Sequence, residues 1–186
     1  MKNPLKSTIV CIVLLFSPTL LFSQTLQLGT LSDFQAFATT GAVTGPGTTG
    51  TCVGDVGTND GIISGFDTSY AGIEYNNNSL TVQARIDLLR VYIHLSDIFV
   101  TNPGTHSSAF GGGDTLSPGV YAIGSAGSLA GALTLDGGGD TNAVFVIKFE
   151  GALAVTGGAT VGLSGGTRAC NVYWIAEGAI AVGSGC

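Results

Sequence analysis

Threonine is the residue type whose spacing in this chain suggests a surface chemistry. The segment from Thr39 to Thr51 is rich in threonine and uncharged, the first charge after it being Asp55. Because the χ1 angle of threonine is restricted, a row of threonines on a rigid strand presents hydroxyl and methyl groups in fixed positions, which can hold an ordered water layer. An alternative is that these residues merely fill solvent-facing strand and turn positions. The candidates are Thr39, Thr40, Thr44, Thr48, Thr49, Thr51 and Thr58.

Catalytic groups are scarce. His94 falls on the polar side of a predicted helix and His106 in a predicted loop, and neither has an acid or nucleophile partner at a recognisable spacing. No serine or cysteine lies in a nucleophile motif. Enzymes built on β-helices that cleave acidic polysaccharides need clustered cations, whereas the cations beyond residue 23 are dispersed: Arg85, Arg90, Lys148 and Arg168. We therefore expect neither enzymatic activity nor a cofactor.

Metal binding is not expected either. The segment Asp136-Gly137-Gly138-Gly139-Asp140 resembles one unit of a calcium-binding β-roll, but it occurs once and lacks the nonapeptide spacing. We interpret it as a glycine corner flanked by two solvated carboxylates. No cysteine spacing matches a zinc site. The sequence is compatible with one disulfide, and it leaves the pairing open among Cys52, Cys170 and Cys186.

Residues 1–23 have the features of a secretory signal peptide. Lys2 and Lys6 precede an apolar run from Ile9 to Phe16, and Ser23 is a small residue at the expected cleavage point. The apolar run is too short to span a bilayer, and Pro18 interrupts the segment that follows. We expect a secreted or cell-surface mature chain of residues 24–186 that forms one domain and does not insert into membranes.

The charge balance excludes two classes of partner. Removal of the leader leaves four cations against twelve carboxylates, a net charge of −8. Binding to nucleic acid relies on clustered lysine and arginine, and binding to anionic membrane surfaces has the same requirement. We therefore expect neither partner.

Two short cassettes recur between residues 129 and 182. One runs from Gly131 to Leu135 and returns at Gly151 and Gly178; the other, Val144 to Ile147, matches Val172 to Ile175. The period of about 27 or 28 residues is typical of coiled β architectures, in which each coil buries its apolar residues against neighbouring coils. In the strand from Ala143 to Phe149 both faces are apolar, which predicts a core on one side and a covering helix on the other.

One helix is predicted, from Ser79 to Phe99, with Ser79 as its N-cap and a stop at Asn102-Pro103-Gly104. Helical spacing gives it two apolar stripes on nearly opposite sides. We therefore expect it to lie along the outside of the solenoid, with loops over its other flank. The first stripe contains Leu80, Ala84, Leu88, Val91, Leu95 and Ile98, and the second contains Val82, Ile86, Leu89 and Ile93.

An ordered set of motifs extends over almost all of residues 28–182. The motifs are Leu28-Gly29 with Phe34 to Ala38, Gly54 to Gly57, Ile63 to Phe66, Leu116 to Tyr121, Leu133 to Phe145 and Cys170 to Trp174. In their order and spacing these motifs resemble the ice-binding-like family of bacteria, fungi and algae.

This resemblance implies a mainly β fold: a discontinuous right-handed β-solenoid with one long α-helix packed alongside. It also implies secretion and adsorption to ice through a flat face bearing threonine, serine and alanine, which inhibits ice growth or recrystallisation. The last coils of the family pattern are absent after Cys186, and its Thr-Ala/Gly-x-Thr/Asn motif has no complete match. An alternative is an extracellular adhesive or structural module that binds a protein or glycan.

Overall fold

The amino-terminal part of the chain forms a small ladder of parallel strands. The computed structural model describes residues 26–47, 54–66, 70–103 and 106–183. A 3₁₀ turn, Gly29–Asp33, leads into a three-stranded sheet of β1 (Phe34–Ala38), β3 (Asp55–Thr58) and β5 (Glu74–Asn76), and a two-stranded sheet contains β2 (Val43–Gly47) and β4 (Ile63–Phe66). Val43 and Val56 form the buried centre of this ladder.

The remainder of the chain forms a second ladder with three parallel sheets. The helix-side sheet contains β6 (Asn102–Pro103), β9 (Gly119–Ile123), β12 (Phe145–Phe149) and β15 (Val172–Ala176). The alanine sheet contains β7 (Ala109–Gly111), β10 (Gly127–Ala130), β13 (Leu153–Val155) and β16 (Ile180–Val182). The threonine sheet contains β8 (Asp114–Leu116), β11 (Ala132–Asp136) and β14 (Thr160–Ser164). The chain passes through the three sheets in this order once per coil.

The apolar residues of each coil meet inside the second ladder, as the solenoid prediction requires. Leu133, Leu135, Phe145 and Ile147 are essentially inaccessible to solvent and belong to one continuous core cluster. Their strands alternate between buried and outward residues because successive side chains of a strand point to opposite faces. The predicted β-solenoid with one helix alongside is therefore confirmed. Within the described residues no strand of the first ladder pairs with a strand of the second.

The structure corrects the register of the second cassette and the sheet assigned to one copy of the first. Phe145 pairs with Val172 and Ile147 with Trp174, so the second cassette is offset by one residue from the match of Val144 with Val172. Leu153 pairs with Ile180, as the first cassette predicts. The copy that begins at Gly131 lies instead in the threonine sheet. Every strand whose residues alternate between the core and the surface has a similar sequence pattern. Sequence similarity alone therefore does not show to which sheet a strand belongs.

The helix, α1, extends from Ser79 to Asp97, slightly shorter than predicted. Its N-cap is Asn78 rather than Ser79: the Asn78 side chain accepts hydrogen bonds from the backbone N–H groups of Leu80 and Thr81. The Thr81 hydroxyl in turn accepts from the backbone N–H of Asn78 at 2.9 Å, which completes a capping box. No helix among the described residues has the length and apolar character needed to cross a membrane.

Helix α1 packs on the outer side of the helix-side sheet. Val91 and Leu95 belong to one buried cluster with Val120, Val146 and Ile175, which are the outward residues of that sheet. This confirms the placement predicted from the two apolar faces of β12. The prediction of loops over the other flank is wrong for the described residues, because the second apolar stripe is exposed to solvent.

Two polar contacts attach the middle and the carboxyl-terminal end of α1 to the rest of the molecule. The buried Asp87 carboxylate accepts hydrogen bonds from the backbone N–H and hydroxyl of Thr30, both at 2.9 Å, and from Gln83 and Arg90. The Thr30 hydrogen bonds hold the pKa of Asp87 below its ordinary value. Gly29, next to Thr30, has φ +59°, and a Cβ there would collide with the same carboxylate. The amino-terminal turn is thereby fixed to the helix.

The carboxyl-terminal contact comes from Lys148 on β12. Its Nζ donates to the carbonyl oxygens of Ser96 at 2.7 Å and Ile98 at 2.9 Å. Carbonyls in the last turn of a helix have no partner within the helix and carry the negative end of its dipole, so an ammonium group stabilises them. Burial lowers the pKa of Lys148.

Candidate functional site

The threonines predicted as a surface occupy different environments. Thr44 is exposed on β2 and pairs with Ser64 of β4. Thr40 is exposed in the preceding turn, and Thr39 is half-buried. Thr58 is fully buried and donates to the carbonyl oxygen of Gly41 at 2.9 Å, so it cannot contact an external surface. Thr48, Thr49 and Thr51 lie outside the described residues.

The outer face of the threonine sheet carries a second group of threonines. In β11, Leu133 and Leu135 point into the core, and Ala132, Thr134 and Asp136 therefore point outward. The corner before this strand is Gly131, whose φ of +72° is readily adopted only by glycine. The buried leucines fix the positions of the outward side chains.

Parallel pairing in register extends this outward pattern across three strands. Thr134 pairs with Thr115 of β8 on one side and with Gly162 of β14 on the other. Ala132 pairs with Thr160, and Asp136 with Ser164. Neighbouring strands lie about 4.8 Å apart, and outward residues of one strand about 6.7 Å apart. We call this two-dimensional array the threonine face: Thr115, Ala132, Thr134, Thr160, Gly162 and Ser164.

The hydroxyl groups of the threonine face are available to water. Within the described part of the chain, no hydrogen bond involves the side chains of Thr115, Thr134 or Thr160. Thr115 and Thr160 are exposed, and Thr134 is half-buried because it has neighbours on both sides. The face itself contains no charged residue, and Asp136 borders it at the end of β11, where its carboxylate accepts a hydrogen bond from the Gly138 N–H at 3.0 Å. The centre of the face is uncharged.

The outer side of the alanine sheet is also uncharged, but it differs chemically. Its central row consists of Ala109, Ser128, Ala154 and Ala181, aligned by the strand register. This row carries methyl groups and a single hydroxyl. The threonine face therefore combines hydroxyl and methyl groups in a way that the alanine sheet does not.

The sequence prediction did not include Thr115, Thr134 or Thr160. The signal was present in the alternation of β11 and β14, where leucine or valine at every second position leaves alanine, threonine and aspartate outward in β11 and threonine, glycine and serine outward in β14. Aligning the strands as neighbours reveals the array.

Other candidate residues do not form a reactive site. His94 is exposed. His106, for which the sequence showed no acid partner, has an acidic neighbour: its Nε2 lies 3.5 Å from an Asp114 oxygen, and its ring stacks on that of Phe110 with the centroids 3.9 Å apart. The described residues contain no group of three or more His, Cys, Asp or Glu that could hold a metal ion. Asp140 accepts from the Asn142 N–H, as expected of a turn residue. Cys170 is exposed, and Cys52 and Cys186 lie outside the described residues.

Comparison with known proteins gives a consistent result. A family model described as ice-binding-like matches residues 37–186. An ice-binding protein of Nostoc sp. (strain HG1) is 31% identical over 114 residues. The crystal structure of an ice-binding protein from an Antarctic bacterium of the Flavobacteriaceae superposes with a TM-score of 0.75 at 37% identity, and that of an Antarctic ascomycete, Antarctomyces psychrotrophicus, with 0.70 at 30%.

The extent of these matches differs between the relatives. The alignment covers 61% of this chain and 41% of the Nostoc protein. The structural match covers 85% of this chain in both cases, but 37% of the bacterial structure and 77% of the ascomycete one. The chain thus spans about two fifths of the length of the Nostoc and Flavobacteriaceae proteins.

Proposed function

Because the chain belongs to the ice-binding-like family, we propose that it binds ice and that the threonine face is its binding surface. The observation that carries this proposal is the direct pairing of outward Thr115 with Thr134 on neighbouring parallel strands, with Thr160 of the third strand in the adjacent row. The relatives reported above are themselves named ice-binding proteins.

The chemistry of the face suits adsorption to a crystal of water. Threonine hydroxyls can hydrogen-bond water while the adjacent methyl groups restrict its orientation, and the strand spacing repeats both groups regularly. Strong charges would instead hold their own hydration shells, and the centre of the face has none. Adsorption of this kind needs no catalytic step: a bound molecule halts growth of the ice surface locally.

The rigidity of β11, the central strand of the face, follows from its core. Each outward residue of β11 alternates with a leucine that is essentially inaccessible to solvent, and close-packed interiors allow little displacement. A rigid surface binds an ordered partner without the entropic cost of arranging its own side chains. Restricted χ1 angles of threonine reduce that cost further.

The test is substitution of Thr134, the central residue, by tyrosine. We expect Thr134→Tyr to lose most of the inhibition of ice recrystallisation, because the ring stands above the plane of the face. The thermal unfolding midpoint should change little, since the side chain points outward. Ala154→Tyr is the matched control, as it places the same ring at the centre of the neighbouring alanine sheet and should retain activity.

Two other results would redirect the assignment. Loss of activity in Ala154→Tyr with full activity in Thr134→Tyr would transfer the site to the alanine sheet. Thr44→Tyr tests the amino-terminal threonines, and loss of activity there alone would assign the site to that segment. An inactive wild-type protein would contradict ice binding itself.

We also propose that the protein is exported and acts outside the cell. The support is the leader-like composition of residues 1–23, which would leave residues 24–186 as the mature domain. Ice is an extracellular ligand for most cells, which agrees with export. Amino-terminal sequencing of protein from the culture medium tests the cleavage site after Ser23.

A further inference from the structure

The solvent side of α1 is apolar. Val82, Ile86, Leu89 and Ile93 expose 40%, 47%, 58% and 50% of their surfaces. We call these four residues the outer seam. They lie diametrically opposite the buried Ala84, Val91 and Leu95, because 3.6 residues make one turn. A helix on the surface of a soluble protein normally turns polar residues outward, so this side of α1 has the composition of an interface.

The spacing of the outer seam is that of a helix–helix contact. Its members follow one another at intervals of four, three and four residues, which is the pattern that inserts side chains of one helix between those of another. The larger residues, Ile86, Leu89 and Ile93, occupy consecutive seam positions. A single helix of 19 residues, about 28 Å long, provides the surface.

We propose that the outer seam packs against the outer seam of a second copy of this chain, with the two helices antiparallel. An antiparallel arrangement is the one that a two-fold axis perpendicular to the helices produces, and two-fold dimers are the commonest oligomers. In this arrangement Ile86 packs against the partner's Leu89, and Val82 against the partner's Ile93. The contact is thus self-complementary.

The charges beside the seam select this orientation. In a parallel pair Arg85 would face the partner's Arg90, since these flanking positions meet across the interface, and like charges there are unfavourable. In the antiparallel pair Arg85 faces the partner's Tyr92, whose hydroxyl donates to the Glu177 carboxylate at 2.6 Å, so a cation lies near an anion. On the other side of the seam Gln83 faces the partner's Arg90. Neither contact joins like charges. Arg90 is already paired with Asp87 at 2.9 Å within its own helix, which holds it beside the seam.

The expected dimer is weak and reversible. Two helices that meet over four side chains each bury less area than a standard stable interface. We expect a dissociation constant on the order of 10 µM. The seam lies on the far side of α1 from the solenoid and shares no residue with the threonine face, so the dimer and ice binding are independent.

The test is sedimentation equilibrium of residues 24–186 over a range of protein concentrations. We expect a monomer–dimer equilibrium in the wild type, and Leu89→Glu and Leu89→Lys should each weaken it by at least about 30-fold, because either charge would be desolvated at the seam. Two substitutions of opposite charge guard against the failure of one to fold. The matched control is Phe99→Glu, since Phe99 is 80% exposed but lies beyond the helix end.

The orientation is tested by Arg85→Glu. A parallel dimer would be tightened, because the new carboxylate would face the partner's Arg90, whereas the antiparallel dimer should be unchanged or weakened. A wild type that stays monomeric to about 1 mM, or a dimer unaffected at Leu89, overturns the proposal. Tightening by Arg85→Glu overturns the antiparallel arrangement.

Discussion

Lys148 is the contact through which the second ladder stabilises the end of the helix. Its ammonium group donates to the carbonyl oxygens of Ser96 and Ile98 at 2.7 and 2.9 Å. The change Lys148→Met keeps most of the aliphatic stem and removes both donors. It therefore isolates the two hydrogen bonds from the packing of the side chain.

The expected loss follows from those two bonds. A hydrogen bond from a charged donor contributes about 1.5 kcal/mol at the lower end of its range, so two contribute about 3 kcal/mol. The ammonium group is only partly buried, and water that reaches the carbonyls of the variant should return about 1 kcal/mol. We expect the free energy of unfolding to fall by about 2 kcal/mol, which lowers the thermal unfolding midpoint by about 6 °C for a domain of this size.

Urea denaturation followed by circular dichroism measures this loss, with Arg168→Met as the control. Arg168 is exposed, and its side chain has no hydrogen bond to any described residue. The control removes the same charge from the molecule and should change the free energy of unfolding by less than about 0.5 kcal/mol. Equal stability of Lys148→Met and Arg168→Met would refute the reasoning.

Two further changes test the interior. The pKa of Asp87 is lower in the folded state than its ordinary 3.8, so the stability that Asp87 contributes is present above that value and is lost as the pH falls below it. Asp87→Asn should therefore lower the thermal unfolding midpoint at pH 7 and reduce the fall of this midpoint at acidic pH. An equally steep fall in the variant would contradict the role of Asp87. Leu135→Ala should lower the free energy of unfolding in urea by about 2–5 kcal/mol. Leu163→Ala should lower it by less than about 1 kcal/mol, because Leu163 is the exposed counterpart of Leu135 one coil later. Equal losses would contradict the core assignment.

The sequence predicted those features that depend on local pattern. Helix α1 was recognisable because its span lacks glycine and proline, and β12 because both of its faces are apolar. The N-cap was placed one residue late, since Asn78 and Ser79 are both good capping residues and the reciprocal bond from Thr81 decides between them. Such a decision depends on geometry that composition does not contain.

The arrangement of outward residues was harder to predict, because it depends on which strands become neighbours. Thr115 and Thr134 are adjacent across a sheet at a separation of 19 residues, whereas Thr134 and Gly162 are adjacent at 28. A search with one fixed period detects only the second relation. The two separations differ because the corners between strands differ in length, and these lengths follow no pattern in the sequence. Thr58 illustrates the opposite error: its type suits a surface, but its position in β3 places it in the interior.

The position of α1 between the two ladders determines whether the protein unfolds as one unit. In a stack of coils each coil is stabilised by its neighbours, and a break between stacks allows them to unfold separately. Among the described residues the ladders share no strand pairing, while α1 contacts the amino-terminal turn through Asp87 and the second ladder through Val91, Leu95 and the Lys148 cap. The helix is therefore one link between the ladders, and weakening either attachment should favour states in which one ladder is unfolded and the other intact.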